Sequence, residues 1–246
     1  MLICAFARSD PGRVRERNED SHHQGRTLFA VADGLGGHSA GEVASATAVR
    51  VLARLDGTHP ASVEAAREEL VAAFEEANRV VHDDAELDPA QTGMATTLTA
   101  ALLAGEQLVI AHVGDSRAYL LRAGEPLRQL TSDQTVVAEM VRQGRLTRDQ
   151  AASHPYRSVL TTAIGLEREL EVELPPPLPL RSGDQVLLCS DGLTEPVGED
   201  AIAELLATSV DGDDACQALV DAANAAGGPD NVTVVLVRTA AGDLTT

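Results

Sequence analysis

The chain contains no lysine and no tryptophan, and only five of its 246 residues are phenylalanine or tyrosine. So few rings argue against nucleic-acid binding by base stacking on aromatic side chains. Hydrophobic residues nevertheless make up 44% of the sequence. We therefore expect a sizeable core that is built mainly from Val, Leu, Ile and Ala.

Positive charge is also scarce. All 19 basic residues are arginine, and 38 acidic residues give the chain a net charge of −19. Such a surface repels nucleic acid and anionic lipid, so we expect neither as a partner. It suits a soluble protein or one that gathers divalent cations, and most of these carboxylates are expected on a solvated surface.

The three cysteines, Cys4, Cys189 and Cys216, have no CxxC spacing, which argues against a disulfide framework and a zinc knuckle. Cys189 lies within an apolar run and is interpreted as a small buried residue. The chain does not open with a signal peptide pattern, and no apolar run approaches the roughly 20 residues that span a bilayer. We therefore expect a cytoplasmic monomer without a membrane anchor.

Short runs of Val, Ile, Leu and Thr alternate with segments of helical periodicity. Helices are predicted at about 39–55, 60–87, 199–209 and 213–226, the first with Ser39 as its N-cap and Glu42 completing the capping box. Strands are predicted at 3–8, 27–32, 96–103, 107–113, 117–121, 170–174, 184–189 and 231–238. Short connections favour antiparallel pairing, so the predicted fold class is α+β, in one domain spanning residues 1–246.

Four aspartates lie at the ends of predicted strands and near glycine: Asp33, Asp115, Asp191 and Asp230. A turn explains any one of them, because Asp and Gly are common turn residues. Gathered at one rim of a sheet, however, the four would repel one another unless cations intervened. Carboxylate oxygens are ligands that Mg²⁺ and Mn²⁺ prefer, and Gly34 would leave room for its backbone carbonyl to join them. The four aspartates therefore predict a metal site.

A fifth acidic position, Glu19-Asp20, follows three arginines, Arg13, Arg15 and Arg17. At strand spacing the three arginines would face one side, and a solvated charged surface explains at least two of them. One arginine beside a metal cluster would bind phosphate oxygens through a bidentate fork. The spacing alone does not say which one.

Six segments occur in one order along nearly the whole chain: SDPGRVRERNED (9–20), VADGLGGHSAGEVAS (31–45), GMATTLTA (93–100), HVGDSRAYLL (112–121), LLCSDGL (187–193) and GGPDNVTVV (227–235). Together they resemble the type 2C metal-dependent protein phosphatases in their compact bacterial form. The resemblance implies a sandwich of two antiparallel β-sheets with helices on both outer faces. It also implies a mobile flap at about 131–164, where the sequence is polar and partly helical.

The resemblance also implies a set of metal ligands: Glu19, Asp20, Asp33, Gly34, Asp191 and Asp230. Asp33 would bridge two Mn²⁺ or Mg²⁺ ions, and Gly34 would contribute its carbonyl oxygen. Glu19 and Asp20 match acidic positions that bind the ions directly or through water.

Two further positions match the family. Arg15 matches the arginine that binds phosphate, and Asp115 with Asp191 matches a third metal site. The chain departs from the family where some members carry histidine directly after the Asp-Gly pair, because Leu35 stands there. This departure leaves His38 or water as the candidate acid for the leaving group.

The implied reaction is hydrolysis of phosphoserine and phosphothreonine in proteins by a hydroxide that bridges the two ions, opposing bacterial serine/threonine kinases. Cys189 is excluded as a nucleophile because the sequence CSDGLTE lacks the arginine of a CxxxxxR loop. One alternative is a two-metal phosphatase of small molecules, whose ligands usually include histidine; here only His38 and His112 stand in the motifs. The other is a non-catalytic phosphoprotein-binding regulator, which loss of a ligand aspartate would favour.

Overall fold

The computed structural model describes residues 1–36 and 40–240. The strands are β1 (Leu2–Asp10), β2 (Asp20–Gln24), β3 (Leu28–Leu35), β4 (Ala95–Thr96), β5 (Leu98–Ala104), β6 (Gln107–Val113), β7 (Arg117–Leu121), β8 (Arg128–Gln129), β9 (Leu178–Pro179), β10 (Gln185–Cys189) and β11 (Val232–Ala240). The α-helices are α1 (Ala40–Leu52), α2 (Val63–Leu87), α3 (Val136–Arg142), α4 (Arg148–Ala152), α5 (Asp191–Thr194), α6 (Glu199–Thr208) and α7 (Gly212–Ala225). Two short 3₁₀ helices lie at Ala53–Leu55 and Pro89–Gln91.

The strands form two antiparallel sheets. One has the order β1-β11-β10-β7-β8, and the other has the order β2-β3-β5-β6-β9, with β4 paired to β3. Side chains alternate between the two faces of each strand. In β3, Phe29 and Val31 pack between the sheets, whereas Leu28, Ala30 and Ala32 pack toward the helices. The sheets therefore share one apolar layer and each has a second core on its outer face.

Helices cover both outer faces. Leu70 and Phe74 of α2 pack with α1 against the β3 sheet, and Leu206 of α6 and Leu219 of α7 pack against the β10 sheet. The predicted fold class is confirmed: an α+β sandwich of two antiparallel sheets between helical layers. Within the described residues, no helix combines the length and apolar character needed to cross a bilayer.

Helix α2 follows its predicted period. Its buried residues are Ala66, Leu70, Phe74, Ala77, Asn78 and Val81. The helix begins at Val63 rather than at Pro60, because the Ser62 hydroxyl caps it by accepting the N–H of Ala65 at 3.1 Å. The predicted N-cap of α1, Ser39, lies outside the described residues.

The strand predicted at 170–174 is wrong. This segment makes a single bridge, between Glu173 and His112, and pairing with β6 resumes only at Leu178–Pro179. The intervening residues 175–177 are prolines, which have no N–H to donate to a sheet. Conversely, the structure contains a polar strand, β2, that the sequence did not predict. It lies at the edge of its sheet, where an alternating apolar pattern is not required.

Two predicted boundaries near the acidic residues also change. β3 continues past Asp33 to Leu35, because Gly34 and Leu35 pair with Thr96 and Ala95 of β4. Residues 11–19 form a loop of turns and bends rather than a strand, so the three arginines do not share a strand face.

Residues 131–164, the predicted flap, contain α3 and α4 and are held at both ends. Near the start, Gln134 accepts the N–H of Gly114 through its side chain at 2.9 Å and donates its own N–H to the Gly114 carbonyl at 2.8 Å. At the end, Ile164 exchanges two backbone hydrogen bonds with Thr96. The single catalytic domain at 1–246 with a mobile flap remains a prediction.

Candidate metal centre

Strand ends from both sheets meet at one rim of the sandwich. Asp20 at the start of β2 lies directly opposite Asp33 in the β2–β3 pairing. Asp115 lies in the short β6–β7 connection, Asp191 begins α5 two residues after the end of β10, and Asp230 lies two residues before β11. The antiparallel pairing of Cys189 with both Arg117 and Val234 places the last three at the same end of their sheet.

The backbone of Asp33 is fixed by two threonines of the β4–β5 segment. Its N–H donates to the Thr97 hydroxyl at 2.9 Å, and its carbonyl accepts the Thr97 N–H at 2.9 Å and the Thr96 hydroxyl at 2.8 Å. The Thr97 hydroxyl also lies 2.7 Å from that of Ser116, the neighbour of Asp115. The threonine pair thus links the segments that carry two of the aspartates.

Ser190 links the acidic residues of the two sheets. Its hydroxyl donates to Oδ2 of Asp20 at 2.8 Å and accepts the N–H of Thr233 at 3.0 Å. The other oxygen of Asp20, Oδ1, and Oδ1 of Asp191 are buried without a hydrogen-bond partner among the described residues. Buried polar atoms normally have partners, so these two oxygens are suited to coordinate a cation.

Burial and mutual repulsion raise the pKa values of the acidic side chains at the rim. Burial, opposed by hydrogen bonds from Thr233 and Ser190, raises the pKa of Asp20 to about 7. Burial and then the charge of Asp191 raise the pKa of Asp115 to about 8. Burial and then Glu195 raise the pKa of Asp191 to about 6.

The pKa of Asp33 is shifted in the same direction. Burial, followed by the charges of Asp20, Asp191 and Asp115, raises its pKa well above the usual range. Divalent cations would replace the protons and remove the repulsion. The donors are carboxylate oxygens, the hard ligands that suit Mg²⁺ and Mn²⁺, so the residues present fit a cluster of such ions.

Glu19 and Gly34 lie at the edge of the cluster. Burial raises the pKa of Glu19, and the Glu19 carbonyl accepts the N–H of Gly34 at 3.2 Å. A Cβ atom on Gly34 would overlap the backbone oxygens of Glu19 and Gly41. Glycine is therefore required here by close packing of β2, β3 and α1, and the predicted role of its carbonyl as a ligand stays a prediction.

No three ligand atoms of the rim carboxylates, as the structure describes them, lie within 4.8 Å of one another. Within the described part of the chain, the one trio of ligand atoms all within 4.8 Å of one another is His82, Asp83 and Glu86 on α2. There Asp83 and Glu86 already pair with Arg79 and Arg168. That trio lies on a different element from the rim, and its carboxylates are already neutralised.

Of the three arginines in the loop 11–19, Arg15 is the one that reaches the rim. Its Nη2 lies 2.8 Å from Oδ2 of Asp230, and 56% of its side chain is exposed. The exposed side chains of Arg13 and Arg17 make no hydrogen bond or ion pair with any described residue. The geometry thus distinguishes Arg15 from its neighbours, which the spacing did not.

Comparison with known proteins gives the relationship. The family model described as protein phosphatase 2C matches residues 13–225. This chain belongs to the protein phosphatase 2C family. It is 46% identical over 237 residues to the serine/threonine protein phosphatase PstP of Mycobacterium tuberculosis. The aligned region covers 96% of this chain and 45% of that protein. It is 40% identical over 240 residues to the serine/threonine phosphatase stp of Listeria monocytogenes, covering 94% of each.

Solved structures of the protein phosphatase 2C family agree with the fold. The crystal structure of M. tuberculosis PstP/Ppp has a TM-score of 0.91 and 44% identity, covering 98% of this chain and all of that one. The catalytic domain of PstP in complex with two manganese ions has a TM-score of 0.88 and 42% identity, covering 97% and 99%. The present chain spans about half the length of the full PstP proteins.

Sequence reasoning found the acidic residues of this family member but missed the neutral ones. The structure brings to one rim all the predicted acidic positions, namely Glu19, Asp20, Asp33, Asp115, Asp191 and Asp230. It adds Ser190 and Asn231, each directly adjacent in sequence to one of the aspartates. Their position next to Asp191 and Asp230 was the feature of the sequence from which they could have been predicted. Leu35 ends β3 and supplies no acid, and His38 lies outside the described residues.

The raised pKa values predict how the metal-free protein responds to pH. An aspartate whose folded pKa exceeds its ordinary value of 3.8 favours folding when protonated. This contribution is complete below that value and is lost as pH rises through about 6 to 8. We expect EDTA-treated protein to have a lower melting temperature at pH 8 than at pH 5, and Mn²⁺ to remove most of the difference.

Two variants isolate the rim. Asp33→Asn should raise the melting temperature of the metal-free protein at pH 8 and flatten its pH dependence, because it removes one of the repelling charges. Glu75→Gln removes an exposed charge of α2 and should change neither. Identical pH profiles for the two variants would contradict this account.

Proposed function

We propose that this chain hydrolyses phosphoserine and phosphothreonine monoesters in proteins, using divalent cations held by the acidic rim. The observation that carries the proposal is the meeting of six acidic side chains at the rim, with Arg15 at their edge. Relatives named serine/threonine phosphatases support it, as does the presence of two manganese ions in the PstP catalytic domain. The substrates would be products of serine/threonine kinases.

Asp33 would bridge two core ions, and Glu19, Asp20, Asp191, Asp230 and the Gly34 carbonyl would complete their coordination. Bound Mn²⁺ or Mg²⁺ supplies acidification of a coordinated water and neutralisation of charge on phosphoryl oxygens. Thr96 and Thr97 fix the backbone of Asp33, and Ser190 holds the carboxylate of Asp20, through the hydrogen bonds described above. The chain's own contribution is thus a fixed set of oxygen donors in a partly buried setting.

Arg15 binds the phosphoryl oxygens through its planar guanidinium. Its guanidinium pairs with Asp230, and because the side chain is largely exposed it can turn toward a substrate at little cost. Cys189 does not act as a nucleophile: it is fully buried, and burial raises the pKa of its thiol to about 12. The proposed reaction therefore does not pass through a phosphocysteine at this position.

A two-metal phosphatase of small molecules with histidine ligands is disfavoured by the position of His112. This side chain is fully buried and bonded to the Thr99 hydroxyl at 2.8 Å and to the Gly114 carbonyl at 3.0 Å, so neither ring nitrogen is free for an ion. A non-catalytic regulator would differ from a phosphatase because adding Mn²⁺ would produce no hydrolysis.

The first test is metal dependence. After treatment with EDTA, hydrolysis of p-nitrophenyl phosphate and of a phosphothreonine peptide should stop, and Mn²⁺ should restore it. Asp33→Asn and Asp230→Asn should lower kcat by several orders of magnitude while circular dichroism stays unchanged, since both remove ligands of the core ions. Full hydrolysis in EDTA would refute the proposed mechanism, and no hydrolysis with any ion would favour the non-catalytic alternative.

Arg15 is tested against its two neighbours. Arg15→Ala should raise KM and the inhibition constant of inorganic phosphate about 10- to 100-fold, since hydrogen bonds to charged groups contribute about 1.5–3 kcal/mol. Mn²⁺ affinity measured by calorimetry should change little. Arg15→Lys should restore part of the loss, because an ammonium group cannot form the bidentate fork. Arg13→Ala and Arg17→Ala are matched controls; equal effects of all three would mean that Arg15 is only a surface charge.

Asp115 would hold a third, weaker ion together with Asp191. Its carboxylate is flanked by Asp191 and by Asp133, which Arg117 binds through two hydrogen bonds of 2.8 and 2.6 Å. Asp115→Asn preserves the turn but weakens a cation site, so turnover should fall while two Mn²⁺ ions still bind in calorimetry. If this variant keeps full turnover throughout a Mn²⁺ titration, Asp115 serves only to shape the turn.

A further inference from the structure

Asn231 is a buried neutral residue beside the rim to which the proposed chemistry assigns no role. Its side-chain Nδ2 donates to the carbonyls of Pro11 at 3.1 Å and Arg17 at 2.8 Å. Its Oδ1 accepts the N–H of Glu19 at 2.8 Å. One amide group of a residue that is 5% exposed therefore bonds both ends of the loop 11–19.

This loop carries Arg15 and has no strand pairing of its own. It lies directly against the chain before β11: the N–H of Arg13 donates to the Gly228 carbonyl at 2.8 Å. Gly12 adopts a φ of +80°, and a Cβ atom there would overlap the carbonyl oxygens of Asp230 and Gly228. The loop is thus seated on residues 228–231, and Asn231 provides the side-chain bonds that hold it there.

Asn231 is itself held rigidly. Its N–H donates to Oδ1 of Asp230 at 2.8 Å, and its carbonyl oxygen packs so closely on α5 that a Cβ atom on Gly192 would overlap it. Both amide hydrogens and the amide oxygen of the side chain are engaged. Removal of the side chain would leave backbone groups of the loop without their partners.

We propose that Asn231 is a positioning residue, which fixes the loop 11–19 so that Arg15 and Glu19 stand at the metal rim before substrate arrives. The inference rests on the proposed phosphate-binding role of Arg15. Arg15 is largely exposed, so a loose loop would have to be ordered each time phosphate binds. Loss of Asn231 should therefore weaken phosphate binding more than it slows the chemical step.

The chain offers a matched control in Asn78 of α2. This asparagine is 2% exposed, donates to the carbonyls of Glu167 and Arg168 at 2.8 and 3.2 Å, and accepts the N–H of Gly165 at 2.7 Å. Like Asn231, it makes three bonds to the backbone of a loop, but at a loop that carries none of the proposed site residues. Asn231→Ala and Asn78→Ala should both lower the melting temperature.

The two variants should differ in function. Asn231→Ala should raise KM and the inhibition constant of inorganic phosphate about 10- to 100-fold, the usual effect of losing a residue that orients ligands. Asn78→Ala should leave both constants unchanged. In EDTA-treated protein, without any turnover, hydrogen exchange at the Glu19 amide should accelerate in Asn231→Ala and not in Asn78→Ala.

A double-mutant cycle with Arg15→Ala decides whether Asn231 acts through that arginine. The double variant should have the same phosphate inhibition constant as Arg15→Ala within about twofold, because independent sites would instead add. Additive losses, or equal constants for Asn231→Ala and Asn78→Ala, would overturn the inference. No effect of Arg15→Ala itself would refute the proposed role of Arg15 instead.

A second variant covers the case in which Asn231→Ala does not fold. Asn231→Ser replaces the amide with a hydroxyl that can bond only one partner, the Glu19 N–H or the Arg17 carbonyl, so it should raise the phosphate inhibition constant in the same direction by a smaller factor. An unchanged constant in Asn231→Ser, together with unchanged exchange at Glu19, would overturn the inference.

Discussion

Like charges in a protein interior repel one another, and here Asp20 and Asp33 face each other directly across two paired strands. Asp191 approaches from the other sheet and Asp115 from the loop that connects the two sheets, and both raise the pKa of Asp33 further. The apolar layers on both faces of each sheet hold the strand ends together against this repulsion. Bound protons or cations relieve this repulsion. The fold that brings the carboxylates together therefore also creates the requirement for a counter-charge.

The neutral groups around the rim fix the acidic residues without neutralising them. Thr96 and Thr97 bond the backbone of Asp33 rather than its carboxylate, and Ser190 occupies one oxygen of Asp20. Oδ1 of Asp20 and of Asp191 therefore keep their lone pairs available inside the protein. Donors aimed at those oxygens would have stabilised the metal-free form and competed with an ion.

The features of the fold that could be predicted from the sequence are those determined by residues close together in the chain. The 3.6-residue period of α2, the apolar run of β3 and the placement of acidic residues at strand ends could all be predicted from neighbouring residues. The segment 170–174 could not, because its apolar pattern meets a run of prolines that have no N–H to donate. The roles of Thr97 and Asn231 could not be predicted, because neutral residues that bond backbone groups produce no recognisable charge pattern in the sequence. Their hydrogen-bond partners are also distant in the chain.

That distance has a consequence for how the site forms. Asn231 bonds Glu19 across 212 positions of sequence, and β1 pairs with β11 along nine residues in register. The arginine loop and the aspartate before β11 thus come from the two ends of the described chain. Contacts of such separation require closure of most of the chain before they contribute, which places them late in folding. The arginine side of the rim therefore depends on the pairing that completes the β1–β11 sheet, and local structure elsewhere cannot form it alone.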